Sequence, residues 1–241
     1  MSRTGIYVET RIGASLEEVW RLTQEPELHE RWDLRFTRIR CLPRGVDEPQ
    51  RFLYETRIGF GLAVRGEGES TGTAESAAAR TSALHFWSKA PISLIRDGRG
   101  YWKYLAEAES DVRFWTWYDY EVRWGAFGEL IDRIAFRPLI GWATAWSFDS
   151  LRLWAERGWP PEVVRRATVI YTVARLAIVF VWLWHGAIPK LLFPQGDELF
   201  LLRAQHLSPQ LLPWTGVAEI AFGLLGAIFW RWRGYFAAPR S

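Results

Sequence analysis

The sequence predicts an α+β domain, an antiparallel sheet around a long C-terminal helix, followed by a two-helix transmembrane segment. Three observations carry this. Residues 36–124 read as successive strands joined by hairpin-length connections, so neighbours are expected to pair antiparallel. Residues 125–157 then change to a helical period. Beyond them, residues 168–187 form an apolar run with one formal charge, Arg175, and residues 213–230 form another with one, Glu219. At about 1.5 Å per residue the first run spans roughly 30 Å, the thickness of a bilayer's hydrocarbon core. The expected division is a cytoplasmic ligand-binding domain over 1–157, a linker over 158–167 and a membrane region over 168–241.

The totals agree with a chain that is part soluble and part membrane. Of 241 residues 49% are hydrophobic, yet the mean hydropathy is −0.10, so the apolar residues are concentrated. Many of the sixteen tryptophans flank the two apolar runs, among them Trp159, Trp182, Trp214, Trp230 and Trp232. Their amphipathic rings suit the headgroup level. The net charge of +3 is mild and no basic run stands out, which excludes nucleic acid as the expected partner and favours an anionic membrane surface. A lone cysteine, Cys41, excludes an internal disulfide and a multi-cysteine metal site. The first fifteen residues lack the apolar stretch of a cleavable signal peptide. Arg165, Arg166, Arg231 and Arg233 all fall on one side if both runs insert, so both termini are expected on the cytoplasmic side of the inner membrane, with two passes.

The elements follow in order. Ile6, Val8, Thr10 and Ile12 alternate as an opening strand. Ser15 with Glu18 three residues on reads as a capping box, starting a helix over 16–23, and Pro26 opens a second short helix ending at Trp32–Asp33. Strands are expected over 36–42, 51–58, 62–74, 81–88, 100–109 and 112–124, with a loop over 90–98 that contains Pro91 and Asp97-Gly98. Glycine-rich residues 66–73 lack the lysine and the strand–loop–helix context of a phosphate loop, and read as a mobile strand edge. The helix that follows is expected to kink or restart at Arg137-Pro138.

Within residues 139–157, Ala145, Asp149, Arg152 and Glu156 mark the solvent side. The opposite stripe holds Ile140, Ala143, Ser147, Ser150, Leu151 and Trp154, small and hydroxylated in the middle and bulky at its ends. Laid across a sheet, that profile leaves volume under residues 143–150; the plainer reading is close helix–sheet packing. The strand at 112–124 offers two faces: Phe114, Thr116, Tyr118 and Tyr120 on one, and Arg113, Trp115, Trp117, Asp119 and Glu121 on the other. If the first faces inward, it supplies hydroxyls to an apolar cavity. If the second does, buried Asp119 and Arg113 require partners and could do acid–base work. The first is the cleaner hydrophobic face. His85, sharing a strand face with Ala83 and Trp87, joins the candidate ligand-binding residues. No motif identifies a catalytic residue, a metal site or a cofactor.

The order strand, two short helices, further strands and a long helix resembles the START-like helix-grip superfamily, also called SRPBCC or polyketide-cyclase-like, over roughly residues 4–157. The opening residues 6–33, with Trp20 and Trp32, are similar to that superfamily's start. The resemblance implies a hydrophobic cavity between sheet and last helix, binding lipids, sterols, polyketides or similar hydrophobes. It also implies an alternative, a cyclase or dehydratase-type enzyme in which Asp119, His85 or Tyr118 would act.

Gly158 and the pair Pro160-Pro161 mark the boundary to the membrane third, and residues 198–206 are expected to lie in the outer interface. Residues 168–233 resemble the DoxX-like family at His185-Gly186, at Ile188-Pro189-Lys190, at Glu198, and at Glu219 with Gly223. That family generally has four spans and is loosely linked to membrane redox complexes. Two spans here imply either that half the bundle is missing or that a second copy or another membrane subunit completes it. Arg175, His185, Lys190, Glu198 and Glu219 are the candidate membrane polar site, because a charge in hydrocarbon needs a partner or a route to the interface. Glu219 can be paired with Arg175, or with His185 or Lys190 while Arg175 snorkels inward; the second is preferred. Membrane lipids and a hydrophobic small molecule are the expected partners.

Overall fold

The computed structural model describes residues 5–45, 48–194 and 196–228, so Arg231, Arg233 and the last part of the second expected span lie outside it. The chain divides into two compact units, residues 1–165 and 166–241.

In the first unit, β1 (Ile6–Ile12), β2 (Arg38–Cys41), β3 (Arg51–Gly59), β4 (Leu62–Glu75), β5 (Ala79–Trp87), β6 (Ile95–Ala108) and β7 (Asp111–Val122) form one antiparallel sheet in the order β1-β7-β6-β5-β4-β3-β2. Consecutive strands β1 and β2 therefore occupy opposite edges. The chain between them, α1 (Leu16–Gln24) and α2 (Pro26–Trp32), crosses the sheet's inner face. Ser15 caps α1 by accepting the Glu18 amide at 3.2 Å, and Pro26, whose missing N–H costs nothing in a first turn, starts α2. After β7 the chain is helical through α3 (Gly125–Ile131), a π turn (Asp132–Phe136) and α4 (Arg137–Arg157). The kink or restart expected at Arg137-Pro138 falls where the π turn gives way to α4, whose first two residues are Arg137 and Pro138; the wide turn accommodates the proline ring. Gly158, at φ +66°, ends α4 in the left-handed region.

One core joins these elements. Ile12, Val19, Leu22, Trp32, Trp102, Tyr104, Val112, Phe114, Phe148 and Leu151 are all buried and in one cluster. Each such side chain contributes about 1.5–3 kcal/mol by leaving water. The Trp32 indole N–H, which would be costly to bury unpaired, donates to the Leu22 carbonyl at 2.9 Å.

Two sequence expectations change in the middle strands. Residues 66–73, expected at a strand edge, belong to β4: through Glu69 they are laddered to β3, and from Glu67 on to β5, so only the later residues of the stretch have an open side. Asp97-Gly98, expected in a loop, lies in β6, which begins at Ile95. There glycine serves packing: a Cβ on Gly98 would meet the Phe86 ring at 2.4 Å.

The second unit begins within α5 (Pro161–Ala187), which continues through a π turn (Ile188–Leu192) and is followed by α6 (Gly196–Ala204) and α7 (Leu212–Ile228). The expected linker is thus helical from Pro161 onward. Two stretches, Pro161–Leu192 and Pro209–Ile228, are long and apolar enough to cross a bilayer, and only 11% and 22% of their most apolar windows are buried in the chain. A soluble protein's core helix would be mostly covered; these present Ile170, Phe180, Leu224 and Ile228 outward. The helices touch where they have no side chains. A Cβ on Gly186 would lie 2.6 Å from the Gly216 carbonyl oxygen, and one on Gly216 would lie 2.7 Å from that of Gly186.

Candidate functional site

The sheet's inner face is built by a period-2 alternation of glycine and aromatic residues. Gly66 and Gly68 in β4, and Gly98 and Gly100 in β6, all point to this face. Across from them the side chains of Tyr54, Phe52, Phe86 and Tyr118 occupy the space a Cβ would take. Rings lie flat on bare backbone, which leaves the face shallow and aromatic. Helix α4 packs chiefly on β1, and α1 and α2 reach β6, β7 and β2, so no helix packs extensively on β3, β4 or β5 among the described residues. Phe52, Tyr54 and Phe86 are accordingly half-buried, as is Phe36 in the loop before β2, whereas Phe114, Tyr118 and Tyr120 on β7 are buried.

A polar cluster sits beside these rings. Asp33, whose side chain is fully buried, follows α2 and accepts from the Arg35 amide, from Arg35 Nε at 2.9 Å and from Arg35 Nη2 at 2.7 Å, with His29 Nε2 at 2.9 Å. Burial alone would raise the Asp33 carboxyl, but Arg35 and His29 together hold it well below the usual carboxylate range. The Arg35 guanidinium lies 5.5 Å from the Tyr118 ring and 5.7 Å from that of Phe36. Tyr118 and Thr144 share a hydroxyl hydrogen bond at 2.8 Å. Further along β7, Tyr120 donates to Asp132 at 2.6 Å, and Arg137 bridges Asp132 and Asp119 at 3.1 Å each. Burial, and then the Asp132 carboxylate, push the Tyr120 phenol far above its ordinary value, so Tyr120 stays a neutral donor.

Of the two β7 faces the first points inward. Phe114, Thr116, Tyr118 and Tyr120 all lie there, but the Thr116 hydroxyl is taken up by the Tyr101 carbonyl at 3.1 Å. On α4 the volume expected under residues 143–150 is filled at its far end. Phe148, absent from the sequence-based stripe, stacks on Phe114 at 4.4 Å, and Leu151 is fully buried beside it. Ser147 accepts the Leu34 amide at 2.9 Å and donates to the Ala143 carbonyl at 2.7 Å. The Arg31 guanidinium covers the Trp154 ring at 4.6 Å, and Ser150 is buried with the core, so these two stand away from the aromatic face. The groups that sequence reasoning missed are His29, Asp33, Arg35 and Thr144. A local signal existed, since His29 and Asp33 are i,i+4 and an arginine follows two residues later.

His85 is corrected outright. It lies on the outer face, in a cross-strand row Glu69, His85, Arg99, Asp119. It is offset by one position from Leu84 and Phe86 on the inner face, so the pleat turns it the other way. Asp119 shares that outer side, so of the alternative acid–base residues Asp119, His85 and Tyr118 only Tyr118 lies on the inner face. His85 Nε2 pairs with Asp97 at 2.7 Å and Nδ1 with Glu69 at 3.4 Å, beside an outer cleft lined by Arg99, Tyr101 and Trp117. The Asp97 hydrogen bond, acting against partial burial and helped by Glu69, raises the His85 pKa. The stabilisation it contributes is fully present below the unfolded value of about 6.5 and is lost as pH rises through the raised value. In an NMR titration of the full chain, the His85 ring is expected to titrate above pH 6.5, and Asp97→Asn to move it down; no downward movement would contradict the pairing.

In the second unit Lys190, Glu198 and Glu219 converge. Lys190 Nζ donates to both Glu219 oxygens at 2.9 Å and lies 3.4 Å from Glu198, and it is 8% exposed. The π turn carrying Lys190 and the Gly186–Gly216 contact bring the chains close enough for this. Arg175, buried, lies over the Tyr171 ring at 4.0 Å, and exposed His185 is not part of the cluster.

These features describe a domain of helix-grip fold joined to a segment with two helices of membrane-spanning length. Residues 179–239 match the DoxX-like family. The chain is 46% identical over 187 residues to the uncharacterized membrane protein YndG of Bacillus subtilis (strain 168), over 77% of this chain and 70% of that one, and belongs to its family. Its N-terminal fold is similar to that of the hypothetical protein jhp0584 from Helicobacter pylori, at 17% identity and a TM-score of 0.50, over 63% of this chain and 88% of that one. A START superfamily protein from Mycobacterium smegmatis is also similar, at 15% identity and a TM-score of 0.45, over 61% and 97%.

Proposed function

We propose that this membrane protein binds a hydrophobic small molecule, lipid- or quinone-like, on the inner face of its helix-grip sheet, next to the bilayer that supplies the ligand. The observation that supports this most is the row of half-buried rings Phe52, Tyr54 and Phe86, on strands β3 and β5 with no helix packed extensively over them among the described residues, with Phe36 set against Tyr54. Apolar rings bounded by a few polar groups are the usual lining of a small-molecule site. Tyr118, Tyr120 and Thr144 would border the ligand. Arg165 and Arg166 before the first span favour the domain on the cytoplasmic side of the inner membrane.

The test is binding of the fluorescent apolar probe N-phenyl-1-naphthylamine to the full chain in lipid nanodiscs, with empty nanodiscs as reference. Saturable enhancement that is competed by a quinone or a single-chain lipid, and lost in Phe52→Glu, is expected. A signal equal to that of empty nanodiscs would overturn the reading.

A further inference from the structure

We propose that one end of the N-terminal domain, led by the tip of the β3–β4 hairpin, docks on an anionic lipid surface. The hairpin turns through Phe60-Gly61, between the paired residues Gly59 and Leu62. Phe60 has φ +51° and Gly61 φ +77°, the signs of a type I′ turn, where Asn-Gly is a favoured pair. Phenylalanine in a left-handed backbone is strained, so local stability gives no reason for it here. Packing gives none either. Phe60 is fully exposed, and Ile58 and Leu62 beside it are 52% and 48% exposed. The fold thus holds three large apolar side chains in water at the end of a two-stranded rod, where a nearby apolar phase would stabilise them.

A second apolar patch shares that end of the sheet. Strands β3 and β7 run the same way in the antiparallel order, so the tip after β3 and helix α3 after β7 lie at one end. Along α3 and the π turn, Phe127, Leu130 and Ile134 recur at helical spacing and all are exposed. The β6–β7 turn at the opposite end is Glu109-Ser110. Charge identifies what the apolar end meets. Arg38, Glu55 and Arg65 are laddered across β2, β3 and β4, and Arg57 lies two positions from Glu55 on the same face. Arg57 and Arg65 both reach Glu55, at 3.2 and 3.0 Å. Three arginines therefore surround one carboxylate, and positive charge is left just behind the tip. Apolar side chains with arginines behind them suit an anionic bilayer, the rings entering the acyl boundary and the guanidinium groups meeting phosphates. The chain carries its own membrane-length helices, which hold the domain within reach of such a surface. This docking stands whether or not the inner sheet face binds a ligand.

The experiment places a nitrobenzoxadiazole fluorophore on the full chain in nanodiscs that contain phosphatidylglycerol. In a Cys41→Ser background, which removes the lone cysteine, the label is attached through Leu62→Cys or, as reference, through Ala77→Cys in the β4–β5 turn at the opposite end. Quenching by a nitroxide-bearing lipid is expected to be several-fold stronger at position 62 than at 77. Phe60→Asn, which suits the left-handed backbone, is expected to remove most of that quenching while the melting temperature stays the same or rises, so loss of fold is not the cause. Arg57→Gln with Arg65→Gln is expected to lower the inserted-to-free ratio of the tip roughly thirtyfold, about fivefold for each arginine near an anionic surface. Equal quenching at the two positions, which leaves the tip in water or against a protein partner, would overturn the proposal, as would quenching that Phe60→Asn leaves intact. Quenching unchanged both in the arginine variant and in pure phosphatidylcholine discs would overturn the assignment to an anionic surface.

Discussion

Asp33→Ala is expected to destabilise the N-terminal domain by about 3–5 kcal/mol, because it strands a buried guanidinium rather than merely deleting a contact. The Asp33 side chain is fully buried and receives Arg35 through two side-chain bonds and one backbone bond. Its removal leaves Arg35 with apolar rings around it and no carboxylate. Thermal unfolding of the full chain measures the loss. The paired replacement of Asp33 by Leu and Arg35 by Met is expected to recover most of it, since exchanging both charges for apolar groups of similar size restores packing without desolvating an ion. A paired variant as unstable as the single one would show that the charges themselves hold the loop. The pH dependence follows from the lowered Asp33 pKa. Its contribution is present above the unfolded value of about 3.9 and is lost as pH falls through the native one. Acid is therefore expected to destabilise the wild type more than the paired variant.

Lys190→Met is expected to be the most damaging single change in the membrane unit, again by about 3–5 kcal/mol, because one cation serves two carboxylates. Lys190 contacts Glu219 at 2.9 Å and Glu198 at 3.4 Å. Without it both acids stay in an apolar setting, where charge is costly. Glu219→Gln leaves Lys190 with Glu198 and is expected to cost less, about 1–3 kcal/mol. Thermal melts in nanodiscs give the order; equal losses would mean that Glu198 does not share the lysine.

How much of this was legible in the residues depended on distance along the chain. The strand alternation, the Ser15 cap, the Pro26 start and the two apolar runs are local patterns, and each appears in the fold within a few residues of its expected limits. Where the reading departed, a long-range partner intervened. Gly98 looked like a turn residue because glycine usually ends a strand, yet here it makes room for the Phe86 ring on the neighbouring strand. His85 was grouped with residues it never meets, since the face a strand turns to the core is settled by pairing through β6 and β7. On α4 the small residues suggested a gap, but Phe148 reaches across it to Phe114, thirty-four positions earlier in the chain.

By itself the sequence determined an antiparallel α+β domain ahead of two membrane-length helices, because periodicity, capping and hydropathy act over a few residues and need no partner. Only the tertiary structure decided that Arg35, paired with Asp33, would meet Tyr118, that Lys190 would be shared by Glu198 and Glu219, and that His85 would face outward. Those outcomes depend on strand register and on glycine-to-glycine helix contact, which bring together residues tens of positions apart.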